Sequence, residues 1–468
     1  MTTQRSINPA TGETLAEHPV HSTEEVERRL VLAARAATRW RRTPVAERSA
    51  VVARLGELLE NEKERLGRLM TLEMGKPIQA AIDEAAKCAA GCRFYAEHGP
   101  SFVADTVVED EGHRSFVSYE PLGVVLAIMP WNFPFWQVIR FAAPAIVAGN
   151  VGLLKHASNV PGCALELESL ARRAGAPDGV FQALLIGSDA VAGLLADPRI
   201  AAATLTGSEG AGRSVGRYAG EHLKKTVLEL GGSDAFVVMP SADVDRAIET
   251  AVKARTINNG QSCIAAKRFI VHESIAERFL DGFSARMQAL RVGDPIEPAT
   301  QLGPLASARL AEELELQVQE SVSMGARLVC GGRRTAPGSA FFAPTVLTDI
   351  PRESPAYHDE LFGPVGCVFV ARDPDDAIRI ANDTRFGLGA SAWTNDVAEQ
   401  ERFVRELDAG SVFVNEMVVS DPRFPFGGVK ASGYGRELSD VGLREFVNVK
   451  SVRIRVAGGG EAARPNTE

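Results

Sequence analysis

Between residues 22 and 98, apolar positions recur at three- and four-residue spacing. Val26, Leu30, Ala33, Ala34 and Ala37 form one stripe, with Ser22 or Thr23 placed to cap the first turn, so this stretch is predicted to be helical. From residue 115 the period changes. Segments 115–120 and 124–129 flank Pro121-Leu122-Gly123 and read as two extended strands around a turn. Short apolar runs then alternate with amphipathic stretches: strands at 151–154, 183–186 and 202–206, helices at 161–174, 189–196 and 209–222. A second series opens with a strand at 235–239 and a helix at 243–257 capped by Asp243. A strand at 268–272, a helix at 274–291 and further units to about 420 follow. Such alternation specifies an α/β fold with two doubly wound, mainly parallel sheets, which bind ligands beyond the carboxyl ends of their strands. Leu228-Glu229-Leu230-Gly231-Gly232, a strand end followed by paired glycines, marks the crossing between the halves.

Composition narrows the class. At 468 residues the chain is about three times the ~150-residue domain norm, so two or three domains are expected. Hydrophobic residues at 45% and charged residues at 24% exclude a fibrous or largely disordered protein. Apolar runs fall short of the ~18 residues of a membrane helix, and the start lacks the pattern of a signal peptide, so a cytoplasmic protein without a membrane partner is expected. A net charge of −9 argues against nucleic acid. The arginines of 28–48 are interleaved with Glu24, Glu25, Glu27 and Glu47, as on a solvated helix face. The six cysteines form no disulfide framework, and neither Cys88-x-x-x-Cys92 nor His18-x-x-His21 has a second pair at zinc spacing, so no metal is expected.

Four places hold residues suited to chemistry. Cys263, in the polar turn Asn259-Gly260-Gln261-Ser262-Cys263, is either a nucleophile, with a pKa lowered by a nearby positive potential, or a small buried residue. Glu229 is flanked by Leu228 and Leu230; burial there raises a carboxyl toward the range of a general base, whereas a surface turn leaves it ordinary. Thr206-Gly207-Ser208 follows a strand and opens a helix, which suits a dinucleotide phosphate, although Val215 stands where the third glycine of G-x-G-x-x-G would fall. In Pro130-Trp131-Asn132-Phe133-Pro134 a strand end turns into a helix. Pro134 falls in its first turn, and Asn132, Trp136 and Arg140 share one face. The helix dipole there suits an oxyanion near Asn132, while Arg140 is either functional or in a structural salt bridge.

The motifs occur in a fixed order: Pro130-Trp131-Asn132-Phe133-Pro134, Leu228-Glu229-Leu230-Gly231-Gly232, Gly260-Gln261-Ser262-Cys263, Glu360-Leu361-Phe362-Gly363-Pro364 and Pro425-Phe426-Gly427-Gly428-Val429-Lys430. Over essentially its whole length the chain resembles the aldehyde dehydrogenase superfamily, and within it the succinate-semialdehyde dehydrogenases. The resemblance implies that Cys263 attacks the aldehyde, that the Asn132 amide and Cys263 N–H hold the oxyanion, and that Glu229 activates the water hydrolysing a thioester. It assigns Trp131, Lys155, Ser158, Gly207, Ser208, Leu230, Glu360 and Phe362 to the cofactor, and Trp136, Arg140 and Ser420 to a carboxylated substrate. It also implies a cofactor-binding domain (1–114 and 130–231), a catalytic domain (232–427), an oligomerisation arm (115–129 and 447–456) of a homodimer or homotetramer, and a frayed tail (457–468).

Two positions depart from the resemblance. Ile257 replaces a carboxylate-binding arginine and Ala265 replaces a redox-partner cysteine. Ser158 replaces the glutamate that holds the adenosine-ribose hydroxyl in NAD-preferring relatives, so NADP is the expected cofactor, with NAD possible. Other semialdehydes, unsubstituted aldehydes, a coenzyme-A-acylating reaction and a non-catalytic binding role are the alternatives. Glu229 speaks against acylation and Arg140 against an uncharged substrate.

Overall fold

The computed structural model describes residues 3–455; the expected tail at 457–468 and the last residue of the expected arm, Val456, lie outside them. Strands β1 (Thr3–Ile7) and β2 (Thr14–Pro19) form an antiparallel ribbon ahead of four helices, α1 (Thr23–Trp40), α2 (Val45–Asn61), α3 (Lys63–Met74) and α4 (Ile78–Phe102). The Ser22 hydroxyl caps α1 by accepting from the Glu25 N–H at 3.3 Å. Gly75, at φ 83°, ends α3 in the left-handed conformation that only glycine adopts without strain. The chain then alternates through β3 (Thr106–Val108), β4 (His113–Pro121), β5 (Val124–Met129), α5 (Trp136–Ala148), β6 (Val151–His156), α6 (Pro161–Arg173), β7 (Phe181–Ala183), α7 (Val191–Ala196), β8 (Ile200–Thr206), α8 (Glu209–Glu221) and β9 (Lys225–Glu229). Beyond the Gly231-Gly232 crossing come β10 (Ala235–Val238), α9 (Val244–Thr256), β11 (Arg268–His272), α10 (Ala276–Gln288), β12 (Arg327–Cys330), β13 (Thr345–Thr348), β14 (Val365–Ala371), β15 (Gly389–Trp393), β16 (Ser411–Val414), β17 (Gly433–Tyr434) and β18 (Val447–Arg455).

Two large sheets result. One has six strands in the order β17-β9-β8-β5-β6-β7, parallel except for β17; the other has seven in the order β12-β13-β14-β11-β10-β15-β16, parallel except for β12. The period of two along β10 shows how the second sheet is covered. Phe236 and Val238 enter one apolar cluster with Phe269 and Phe283, while Ala235 and Val237 enter another with Ile270 and Phe403. Helices α1 to α5 share a single buried cluster with the six-stranded sheet.

The extended segments on either side of Pro121-Leu122-Gly123 do not lie together as expected. β4 pairs antiparallel with β3 and β18 in a three-stranded ribbon, which also takes residues 106–108 out of the expected cofactor-binding stretch. β5 instead runs parallel between β6 and β8 in the six-stranded sheet. Residue pattern explains the split: Val124-Val125-Leu126-Ala127-Ile128-Met129 offers no polar face and needs cover on both sides, whereas β4 is mostly half-exposed. The strand expected at 183–186 falls at Phe181–Ala183, where its three residues pair with β6.

Candidate active site

The Cys263 turn leaves α9 through two asparagines with positive φ, Asn258 at 55° and Asn259 at 59°, a conformation that asparagine tolerates better than most residues. Both asparagines are buried and used. Asn258 Nδ2 donates to the Asn132 carbonyl at 2.6 Å, and Asn259 Nδ2 donates to the carbonyls of Gly75 and Pro304, each at 2.8 Å. Lys267 Nζ donates to the carbonyls of Ser262 (2.9 Å), Cys263 (3.0 Å) and Ala265 (3.1 Å) and pairs with Glu360 at 3.2 Å. Gly260, at φ 75°, lies against Gly363, where a β-carbon would stand 2.3 Å from the Gly363 carbonyl carbon. Cys263 itself is half-buried and faces a cleft of about 270 Å³. Burial pushes its thiol up to about 12, opposed by the pull of the Arg140 guanidinium.

Asn132 lines the same cleft. One of its amide N–H groups donates to the Gln261 carbonyl at 3.1 Å, which leaves the second available. It precedes α5 rather than standing on it: the helix begins at Trp136, so Pro134 lies ahead of the first turn. The helix end is capped by buried Glu84, whose Oε1 accepts from the Phe135 and Trp136 N–H groups at 2.9 Å each, while Oε2 pairs with Lys76. The positive end of the dipole is therefore spent on Glu84, and an oxyanion near Asn132 depends on the amide itself. The Trp136 indole N–H donates to Ser420 Oγ at 3.0 Å, and Lys87 donates to the same oxygen at 2.7 Å.

Glu229, at the end of β9, is 2% exposed, and neither carboxylate oxygen has a hydrogen-bond partner. Its Oε1 lies against Gly427, 2.6 Å from where a β-carbon would stand, so the group is turned away from the cleft wall. Burial first, and then the neighbouring Glu437 carboxyl, push its pKa well up; Arg140 and Arg436 oppose them. Arg140 is buried and ion-paired with Glu437. Its Nη2 is 3.3 Å from Thr206 Oγ1, and its guanidinium sits 4.7 Å from the Phe426 ring centre. Arg140 thus has a carboxylate partner already.

Trp131, Gly207, Ser208, Leu230, Glu360 and Phe362 line the Cys263 cleft with Asn132. Phe362 meets the Trp131 ring edge-on at 5.8 Å, and Glu360 accepts from the Gly232 N–H at 3.1 Å. Gly212 lets α8 close onto β9, since a β-carbon there would stand 2.5 Å from the Leu230 side chain. Lys155 and Ser158 stand at the carboxyl end of the neighbouring β6, outside this cleft. Lys155 is half-buried and its pKa is lowered by burial alone, with no charged neighbour contributing; Ser158 is exposed. This set fits a dinucleotide: a helix N-terminus behind Gly207-Ser208, an unneutralised ammonium, and a neutral hydroxyl three residues on.

Sequence reasoning missed Asn258, Lys267, Glu437 and Lys87. The doubled Asn258-Asn259 before Gly260 was a signal for left-handed backbone, and a lone arginine in the apolar run of α5 was a signal for a buried acid elsewhere. Lys87 carried no local mark.

Residues 1–452 match the family model described as "Aldehyde dehydrogenase family". A succinate-semialdehyde dehydrogenase [NADP(+)] of Mycobacterium tuberculosis is 54% identical over 452 residues, 96% of this chain and 99% of that protein. A protein of the same name from Mycobacterium avium is 53% identical over 462 residues, 98% of each chain. The crystal structure of a Streptococcus pyogenes succinic semialdehyde dehydrogenase in complex with NADP+ superposes with a TM-score of 0.94 at 34% identity, covering 97% of this chain and 100% of that one. By sequence and by fold, the chain belongs to the aldehyde dehydrogenase family.

Proposed function

We propose that the protein oxidises succinate semialdehyde to succinate with NADP+ and water. The observation that carries the reading is a single cleft joining Cys263 and Asn132 to Trp131, Gly207, Ser208, Leu230, Glu360 and Phe362, with an unpartnered, buried Glu229 beside it. The names of the relatives support the substrate and the cofactor.

The Cys263 sulfur, as thiolate, adds to the aldehyde carbon, and the free Asn132 N–H and the Cys263 backbone N–H stabilise the oxyanion. Trp131, Lys155, Ser158, Gly207, Ser208, Leu230, Glu360 and Phe362 would hold NADP+, which would supply the hydride acceptor for that carbon. Collapse of the oxyanion leaves a thioester on Cys263. Glu229 swings from its place against Gly427 toward the cleft and takes a proton from water. The resulting hydroxide attacks the thioester carbon, the C–S bond breaks, and succinate leaves. Aldehyde, NADP+ and water are consumed; carboxylate, NADPH and two protons are released.

The six-stranded sheet with α1 to α8 serves as the cofactor-binding domain and the seven-stranded sheet as the catalytic domain. The β3-β4-β18 ribbon is the oligomerisation arm of a dimer or tetramer, supported by the exposed Val449 and Ile454 on its outer strand. A cytoplasmic setting is supported by the six free cysteines. Among the described residues no helix is long and apolar enough to cross a membrane, and no group of three metal-ligating side chains occurs.

The test is kcat/KM for succinate semialdehyde and butanal, each with NADP+ and NAD+. Succinate semialdehyde with NADP+ should exceed every other combination by about tenfold or more. A preference for butanal would overturn the substrate, and a preference for NAD+ the cofactor.

A further inference from the structure

The turn from Gly260 to Cys263 has all four of its carbonyls held by side chains. Arg255 Nη2 donates to the Gly260 carbonyl at 2.6 Å, and Asn258 and Asn132 donate to that of Gln261 at 3.0 and 3.1 Å. Lys267 takes the other two, those of Ser262 and Cys263. Its backbone is fixed just ahead of β11, where its N–H donates to the Asp234 carbonyl at 3.0 Å and its carbonyl accepts from the Cys367 N–H at 2.9 Å. The side chain is fully buried and stands behind the cleft rather than in its lining. Around Nζ lie three carbonyl oxygens and the Glu360 carboxylate, all acceptors, so the protonated ammonium is the form that fits. Burial lowers its pKa; Glu360 opposes this, with smaller contributions from Arg255 downward and Asp234 upward.

The Ser262 carbonyl matters most, because it belongs to the same peptide unit as the Cys263 N–H. The described backbone has no cis bond, and in a planar trans peptide the C=O and N–H point in opposite directions. A cation on the oxygen therefore fixes the direction of the N–H, and it polarises the unit so that the N–H becomes a stronger donor. The same oxygen also accepts from the Ala265 N–H at 3.1 Å, whereas the Cys263 N–H has no hydrogen-bond partner among the described residues.

We propose that Lys267 is a positioning residue for the oxyanion: from behind the cleft it aims and strengthens the Cys263 N–H by holding the Ser262 carbonyl. The inference rests on the reading of Cys263 as the nucleophile. The ion pair with Glu360 offers a competing role through the cofactor, which a cofactor-free reaction of Cys263 separates. 4-Nitrophenyl acetate is such a probe. The thiolate adds to the ester carbonyl, negative charge gathers on its oxygen, and the C–O bond then breaks to release 4-nitrophenolate and leave an acetyl thioester. Iodoacetamide is the reference, since the thiolate displaces iodide at a saturated carbon and no oxyanion forms.

The test compares wild type and Lys267→Met without cofactor, following both reactions at the Cys263 peptide. Both rates scale with the same thiolate fraction, so their ratio at one pH reads oxyanion stabilisation alone. The ester-to-alkylation ratio should fall about 30-fold in Lys267→Met, less than the loss of a whole oxyanion donor because the N–H itself remains. First-turnover NADPH formation with succinate semialdehyde should slow by a similar factor, while NADP+ binding weakens less than about threefold. Lys267→Gln, which keeps a donor and loses the charge, should lie between the two and decides the matter should Lys267→Met fail to fold. An unchanged ratio, with both rates falling together or neither falling, would show that Lys267 does not serve the oxyanion. Weakened NADP+ binding with an unchanged ratio would assign it to Glu360 instead. If wild-type Cys263 takes no acetyl group from the ester, the nucleophile reading itself falls.

Discussion

The cofactor side and the substrate side of the cleft are built in opposite ways. On the cofactor side, Trp131 follows β5, Ser158 follows β6, Gly207 and Ser208 follow β8, and Leu230 follows β9, each within two residues of a strand's carboxyl end. Parallel strands bring those ends to one edge, so the site is assembled by the sheet itself. The substrate side joins the middle of α4 (Lys87), the start of α5 (Trp136, Arg140) and a C-terminal stretch (Ser420, Phe426, Glu437) held outside both large sheets, where a lone antiparallel bridge pairs Phe426 with Glu437. There, charge matching does the assembly. On the proposed function, the shared topology gathers the cofactor residues and a few charged side chains select the aldehyde.

The comparison breaks most readily at Arg140. Arg140→Ala removes the cation that favours ionised Glu229 and leaves Glu437 unpaired next to it. The Glu229 pKa, already raised by burial, should rise further, so less of the base is ionised at a given pH. The rising limb of kcat against pH should move to higher pH, with a loss of about 30-fold at neutral pH on succinate semialdehyde and butanal alike that shrinks as pH increases. A loss confined to succinate semialdehyde would instead make Arg140 the receptor for the substrate carboxylate.

A smaller effect sharpens the cofactor side. Ser158→Glu places a carboxylate three residues past Lys155, where it accepts from a ribose 2′-hydroxyl and repels a 2′-phosphate. The ratio of kcat/KM with NADP+ to that with NAD+ should fall about tenfold. An unchanged ratio would show that exposed Ser158 does not read the phosphate.

The same contrast explains what the sequence disclosed. The alternation of strands and helices, the Asp243 cap (its carboxylate accepts from the Arg246 N–H at 3.1 Å) and the cleft residues near strand ends were legible, because each is written in local pattern plus one topological rule. The partition of 115–129 was not: a turn signal between two extended runs says nothing of which sheet each joins, and the wholly apolar run of β5 was the clue that it needed cover on both faces. Arg140 was seen but not its partner, because Glu437 lies 297 residues away and ion pairing leaves no periodic trace. Lys87 went unnoticed for the same reason: its contacts with Ser420 and the Trp136 ring join residues far apart in the sequence.

The central claim is that one cysteine carries the acyl group and one carboxylate releases it, and pre-steady-state NADPH formation tests it directly. With succinate semialdehyde and NADP+, Glu229→Gln should give a rapid burst approaching one NADPH per Cys263, followed by turnover slower by about 100-fold or more, since only hydrolysis of the thioester needs the base. Cys263→Ala should give neither burst nor turnover while still binding NADP+. A Glu229→Gln enzyme with no burst, its first turnover as slow as later ones, or steady turnover by Cys263→Ala would contradict the account.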